Sequence, residues 1–282
     1  MGDAQFEDAL TIGVRSGGAS RLVRAKRTLI STGSSPHRPA GFSFDRPGVY
    51  DSDTILELST IPKSLAVVGA GAVGSEYACT FGALGTEVHL IDSRDVLLPF
   101  LDSEVSAALT RAIHRSGIEM HCGERVAECN CAGREITPTV QSGCIVRAEA
   151  VFVAAGRRSN TGSLNLTAAG LTPGERGDLK VDEHYRTAVL HIYAAGDVIG
   201  FPGLASTGMQ QARRAMSVLF GGADDLPARD ILRRCMRFPR LQWSALNTSS
   251  QSNVGRFIGF RRSDLSRSYY LFRKETSHEF HR

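Results

Sequence analysis

The residues whose types and spacing could do chemistry begin at Gly69. Gly69-Ala-Gly71-Ala-Val-Gly74 follows an apolar run, Leu65-Ala66-Val67-Val68. It precedes a stretch in which Tyr77, Ala78, Phe81 and Leu84 recur at helical spacing. A strand, three spaced glycines and a helix suit a dinucleotide pyrophosphate. Gly69 permits a tight turn, Gly71 removes the Cβ that would block the phosphates, and Gly74 lets the helix lie close to the sheet. Backbone N–H groups at the helix start would face the negative charge. The competing reading is a purely structural glycine turn, which the elements on either side make the weaker of the two.

Asp92 ends the next apolar run, Glu87-Val88-His89-Leu90-Ile91. Its carboxylate is placed to take the 2′-hydroxyl of an adenosine ribose. Arg94, two residues on, could instead pair with a 2′-phosphate. Together they leave NAD, NADP or both open. The bland reading of Arg94 is a surface charge that neutralises Asp92 or Asp95. Glu76 also has two readings, a group near the nicotinamide entry path or a first-turn acid that suits the helix dipole. His89 is expected to be structural or edge-facing. Cys129 and Cys131 fit neither an ordinary disulfide nor a metal pair, and Cys79 reads as a small buried hydrophobe.

The elements that must position these groups follow from periodicity. Residues 75–84 read as a helix stopped at Gly85, and 102–116 as an amphipathic helix starting near Asp102. The order β-α-β-α implies a parallel sheet covered by helices, an α/β fold. Residues 124–149 read as an antiparallel meander broken at Gly133 and Gly143. Ala150–Ala155 reads as another buried strand. Before the glycine loop, Leu10–Val14 and Ala25–Ile30 read as strands. Residues 36–50 read as a connector, and 53–58 as a short helix capped by Asp53. Later, Leu179–Val181 and Ile192–Ala194 are short apolar segments, and 206–219 is a helix.

Composition narrows the classes. Hydrophobic residues make up 42% and charged residues 22% of 282, which excludes wholesale disorder and a collagen-like fibre. No run of 18 apolar residues suggests a spanning helix, so no membrane partner is expected. The first residues lack the basic and apolar regions of a secretory signal. The six cysteines show no Cys-x-x-Cys pair and no zinc spacing, so no metal site is expected and a reducing, cytoplasmic setting is the simpler reading. Residues 223–282 hold 12 basic and 6 acidic residues. They lack any helix-turn-helix or zinc-finger pattern, and no nucleic-acid partner is expected.

Four stretches together resemble the flavin-dependent pyridine nucleotide–disulfide oxidoreductases: Thr32-Gly33-Ser34, Gly69 through Ala78, Ala155-Gly156-Arg157-x-x-Asn160 and Tyr193-Ala-Ala-Gly196-Asp197. The resemblance covers roughly residues 2–222. It implies a Rossmann-like NAD(P)-binding domain, 57–179, inserted in an incomplete FAD-binding domain made of 1–56 and 180–222. Its implied cofactors are FAD, NAD and NADP. By this likeness Asp197 holds the flavin's ribityl chain, with Gly196 in the turn before it. Leu204-Ala205-Ser206 starts the helix beneath the flavin ring. Gly156 and Arg157 line the nucleotide cleft, and Thr32 and Gly33 belong to the flavin side. Glu76 is the candidate catalytic position, close to nicotinamide and flavin.

Tyr50 through Leu56, Ile91 through Asp95 and Gly196 through Gly200 are most similar to the branch of the family that exchanges hydride between NADPH and NAD⁺ through FAD. Dihydrolipoyl dehydrogenases share much of the pattern, and a non-catalytic nucleotide-binding remnant is a third reading. The family opens with its own glycine loop for the FAD pyrophosphate, and nothing like it precedes residue 69. The expectation is therefore a chain that starts inside the family's first domain and holds FAD poorly. Cys235–Ala245 can be encoded so that reading from the third base spells Tyr-Ala-Ile-Pro-Glu-Ile-Ala-Met-Val-Gly, which resembles the opening of the family's dimerisation domain. Residues 223–282 are thus expected to be an out-of-frame tail in place of that domain, whose full-length relatives would be homodimers.

Overall fold

The computed structural model describes residues 2–131, 135–200 and 202–221, and the backbone of three strands beyond them, 241–243, 257–261 and 268–272. Asp3–Phe6 (β1), Thr11–Ser16 (β2) and Ala19–Arg24 (β3) form an antiparallel sheet. Gly17 and Gly18, both at positive φ, make the tight β2–β3 turn that a right-twisted hairpin favours. Thr28–Ile30 (β4) pairs in parallel with Ile192–Ala194 (β14), and Ser34–Pro36 (β5) pairs antiparallel with Arg157–Ser159 (β13).

Between them lies a five-stranded sheet in which every neighbouring pair is parallel. Its strands are Val49–Tyr50 (β6), Ser64–Val68 (β7), Glu87–Asp92 (β8), Glu119–Cys122 (β9) and Ala150–Val153 (β12), in the order β6-β12-β7-β8-β9. Ala72–Ala83 (α1) follows β7, and Ser103–Arg115 (α2) follows β8. One sheet face, with Leu65, Val67, Val88 and Leu90, packs on Ala78 and Phe81 of α1 and on Val105, Leu109 and Ile113 of α2. The other, with Ala66, Ile91, Val151 and Val153, is covered by Ile136, Val140, Val146 and Ala148 of the meander. Both faces are therefore dry at β7 and β12, which is why those two strands read as unbroken apolar runs. Asp102 caps α2 by accepting from the Glu104 N–H at 3.0 Å, and Gly85 follows α1 at φ +89°.

Several expectations change. The 36–50 connector contains β6, a strand too short to show a period. Asp53 makes no side-chain cap for the short 3₁₀ turn at Thr54–Glu57. Asp51 does that work, accepting from the N–H groups of Asp53 at 3.0 Å and Thr54 at 2.9 Å. The meander holds Val126–Asn130 (β10) and Thr137–Val140 (β11), but its third segment makes only isolated bridges, Ile136 to Ala148 and Thr139 to Ile145. Gly133 lies outside the described residues. Leu179 is buried without forming a strand; its N–H donates to the Val198 carbonyl at 2.9 Å.

Ala205–Leu219 (α3) packs Ala215 and Leu219 on Tyr193 and Leu29. Leu241–Trp243 (β15), Phe257–Arg261 (β16) and Ser268–Phe272 (β17) pair antiparallel. The remainder of 222–282, including Cys235 and most of the stretch expected to be out of frame, lies outside the described residues.

Candidate functional site

The glycine loop sits where the sheet order reverses, with β12 on one side of β7 and β8 on the other. In open α/β sheets this is the crevice at the strands' carboxyl ends that takes ligands. Gly69 has φ +104°, and a Cβ there would stand 2.5 Å from the Ala154 carbonyl oxygen. A Cβ on Gly74 would run into the Gly69 carbonyl and lie 3.1 Å from the Ala154 Cβ. Packing alone therefore demands these two glycines. Gly71, the N-cap residue just before α1, is different: a Cβ there would meet no atom within 4 Å. The backbone is bare on the side facing open space, at a helix N-terminus with no side-chain cap. That geometry fits a pyrophosphate.

Asp92 anchors the loop. It is buried and accepts from the Ala70 N–H at 2.5 Å and the Arg94 N–H at 2.9 Å. The Arg94 guanidinium grips both its oxygens, Nε to Oδ1 at 2.8 Å and Nη2 to Oδ2 at 2.7 Å. Burial pushes the carboxyl pKa up, but the hydrogen bonds from Arg94 and from the loop outweigh it and hold Asp92 below the ordinary range. Arg94 thus faces the cleft residue Asp92 while its side chain stays 43% exposed, free enough to swing. In this arrangement four donors already use Asp92, so a ribose hydroxyl reaches it only when the guanidinium moves aside.

Glu76 lies one turn into α1 rather than in its first turn, where no acidic residue stands. Its Oε1 is buried without a hydrogen-bond partner, and burial raises its pKa to about 7. Cys79 is half-buried, its thiol pushed up to about 11 by burial and then by Glu76. The next residue after Glu76, Tyr77, has its phenol raised by burial, then by Glu76 and by Asp53. Asp53 in turn stands 3.5 Å from Arg157, so α1 looks toward a second cluster of marked residues.

That cluster is held by a dense polar network. The Arg157 guanidinium donates to Ser34 Oγ at 2.8 Å, to the Ser34 carbonyl at 2.7 Å and to Ser52 Oγ at 3.1 Å. Ser34 Oγ donates to Asp197 Oδ2 at 2.9 Å. Asn160 bonds the carbonyls of Thr32 and Gly33 at 3.0 and 2.9 Å. Gly33, Gly156 and Gly196 all have positive φ, which allows these strand ends to turn sharply into the network. The Gly196 N–H donates to Gln211 of α3 at 2.8 Å. A Cβ on Gly208 would lie 3.1 Å from the Gly196 Cα. Leu204 precedes the first residue of α3, and Ala205 and Ser206 are exposed in a first turn with no side-chain cap. The marked residues therefore form two groups. One is Gly69, Gly71, Gly74, Asp92 and Arg94. The other is Thr32, Gly33, Gly156, Arg157, Gly196 and Asp197, with Leu204–Ser206 tied to it through α3.

Arg38 carries no sequence signal, and Asp51 and Ser52 stand in the sequence only within the family-like stretch Tyr50 through Leu56, without a role. Asp51 is fully buried and salt-bridged to Arg38 Nε at 2.7 Å, beside the β6 strand that positions Ser52 and Asp53. The Asp-x-x-Thr spacing of Asp51 and Thr54 was the available signal.

Residues 2–216 match the model of the pyridine nucleotide-disulphide oxidoreductase family. The chain belongs to this family. It is 43% identical over 220 residues to a soluble pyridine nucleotide transhydrogenase of Colwellia psychrerythraea, covering 78% of this chain and 47% of that protein. It is 46% identical over 217 residues to the protein of that name from Chromohalobacter salexigens, covering 76% and 47%. Among solved structures it resembles the HOCl-induced flavoprotein disulfide reductase RclA from Escherichia coli, with TM-score 0.71 and 25% identity over 79% of this chain and 50% of that one. LpdA from Mycobacterium tuberculosis is similar to the same degree, with TM-score 0.71 and 27% identity over 79% and 50%. The chain thus spans about half the length of these relatives. No helix among the described residues is long and apolar enough to cross a membrane.

Proposed function

We propose that the chain carries the nucleotide-binding half of a flavin-dependent transhydrogenase, acting on NAD(H) and NADP(H). The observation that carries this reading is Gly71. Two glycines of the loop are required by packing against Ala154, and the third is bare toward the cleft at the start of α1. FAD, when bound, would supply the ring that accepts hydride from one nicotinamide and passes it to the next. The likeness to soluble transhydrogenases favours exchange between NADPH and NAD⁺ in a cytoplasmic enzyme whose full-length form is a homodimer. Residues 57–179 would be the NAD(P) domain, with 1–56 and 180–222 as flanking flavin-side segments.

The chain's own groups then have these tasks. The N–H groups at the start of α1 hold the pyrophosphate. Asp92 takes the ribose 2′-hydroxyl of NAD(H) once Arg94 swings off it. Arg94 takes the 2′-phosphate of NADP(H), trading one anionic partner for another. That shared pair explains how one cleft serves both nucleotides in turn. Asp197 would accept from the ribityl hydroxyls, and the uncapped start of α3 would face the flavin ring. Glu76, its pKa raised to about 7 by burial, would sit close to nicotinamide and flavin and carry less than a full negative charge there at neutral pH.

Titration of NADH and NADPH into the chain and into Arg94→Ala tests the reading. Both nucleotides bind the parent chain. The variant loses NADPH affinity by roughly tenfold or more, the scale of a lost charge-assisted contact. NADH affinity stays level or rises, because Asp92 is released. Equal losses for both nucleotides would overturn the assignment of Arg94.

A further inference from the structure

We propose that His89, His121 and Glu119 form a binding site for a divalent transition-metal ion of the zinc class, on the sheet face opposite α1 and α2. Among the described residues, they are the one group of three His, Cys, Asp or Glu side chains whose ligand atoms all lie within 4.8 Å of one another. The sheet puts them together. Alternate residues share a face along a strand, so Glu87, His89 and Ile91 of β8 point with Glu119 and His121 of β9. The parallel register sets His89 beside Glu119 and Ile91 beside His121.

The distances match a coordination polyhedron better than a hydrogen-bonded cluster. His89 Nδ1 lies 3.3 Å from Glu119 Oε2. His121 Nε2 lies 3.5 Å from Glu119 Oε1 and 3.5 Å from His89 Nδ1. Around a tetrahedral zinc with bonds of about 2.0–2.1 Å, neighbouring ligand atoms stand about 3.3–3.4 Å apart. Hydrogen bonds would draw such atoms to about 2.7–3.2 Å. Each imidazole nitrogen thus stands near that spacing from the other imidazole and from one Glu119 oxygen, and a small turn of the exposed carboxylate would bring a single oxygen to both.

Burial and charge point the same way. The His89 and His121 side chains are only 12% and 14% exposed, so packing fixes the two rings. Glu119, 61% exposed, can adjust its carboxylate to an ion. On the far side of the His89 ring, Nε2 faces Glu87 Oε1 at 3.7 Å. With the ion and Glu119 on the Nδ1 side, that carboxylate is placed to accept from the Nε2–H, the second contact a metal-bound imidazole usually makes. Two imidazoles and two carboxylates suit a dication, and three protein ligands leave a fourth position for water. Cys122 is the next residue but lies on the other face, paired in register with Asp92.

Such an ion would clamp the edge strand β9 to β8. Directly after β9, the Gly123 N–H donates to the Arg94 carbonyl at 3.2 Å and the Glu124 N–H to the Asp92 carbonyl at 3.0 Å. The clamp therefore stands next to the backbone bonds that brace the ribose-side pair.

Titration of Co(II) into the full 282-residue chain, followed by Zn(II) competition, tests the site. The chain has eight histidines and six cysteines, so variants must locate the ion. One Co(II) per chain is expected, with visible ligand-field bands and no thiolate-to-cobalt charge-transfer band. Glu119→Gln, an exposed and isosteric change, lowers the affinity at least tenfold. Glu87→Gln lowers it by less, and Cys129→Ser with Cys131→Ser leaves it unchanged. Absence of binding, an unchanged affinity in Glu119→Gln, or a thiolate band that vanishes in the double cysteine variant would overturn the proposal.

Discussion

The five-stranded unit and the segments that flank it are built to different standards of closure. In the first, β7, β8 and β12 each have strand neighbours on both sides, helices cover one face and the meander covers the other. In the second, β4 and β14 pair only with each other among the described residues. A hairpin sheet, the β5–β13 pair and α3 surround them, and α3 leaves Met209 and the following Phe220 exposed. Residues proposed to hold a nucleotide through bare backbone need the first kind of support, since a misplacement of about an ångström decides whether phosphate fits. The flanking cluster holds its geometry instead through side chains, chiefly Arg157 bridging Ser34, Ser52 and Asp53.

The largest expected effect comes from breaking the closed unit. Gly74→Val drives side-chain atoms into the Gly69 carbonyl and the Ala154 Cβ. It should cost about 3 kcal/mol or more in denaturant unfolding, the scale of severe overpacking, and abolish NADH binding. The flanking unit is tested by its flavin. The sequence holds one Gly-x-Gly-x-x-Gly loop, and among the described residues the open unit offers Asp197 and the start of α3 but no second cradle of that kind. Purified without added flavin, the chain should carry far less than one FAD by absorbance while still binding NADH. Stoichiometric yellow protein would show the open unit to be as competent as the closed one.

A smaller effect lies where the two units face each other, at Glu76. Its folded pKa is raised from 4.5 to about 7, so the fold favours the protonated form. That contribution is fully present below pH 4.5 and is lost as pH rises through about 7. Glu76→Gln keeps the neutral shape and has no such loss. The variant should be the more stable above pH 7 by roughly 1–2 kcal/mol, after discounting for solvent screening of a half-exposed group. A constant difference between pH 4 and pH 8 in thermal unfolding would contradict the burial argument.

The same contrast explains what could be read before the structure. The glycine loop, β7, β8, β12 and both helices of the closed unit were legible because burial on two faces writes long apolar runs and helical periods. Asp102 was legible as standing near the start of α2, and the structure makes it the cap. The open unit writes shorter signals: β6 has two residues, the third meander segment only bridges, and Leu179 is buried without any period. Asp53 reads as a cap because it sits next to the turn, whereas the buried Asp51 two residues earlier does the work. The Arg94–Asp92 pair was legible as one of two readings of Arg94, a charge that neutralises Asp92 or Asp95; the choice of Asp92 and the two-pronged grip on a buried carboxylate came only with the structure. His89 and Glu119-x-His121 carry the period-2 spacing that puts them on one face. Only the β8–β9 register, which no single strand encodes, brings them together.

Gly71→Ala tests the central claim most directly, since it separates the nucleotide site from the fold that supports it. Gly71 has ordinary backbone angles, φ −70° and ψ −175°, and an added Cβ meets nothing within 4 Å. Thermal unfolding of the variant should match the parent chain. Calorimetric titration should show NADH and NADPH affinities both reduced at least tenfold, because the methyl occupies the place of the phosphates. Unchanged affinity for both nucleotides in a stable Gly71→Ala chain would contradict the account.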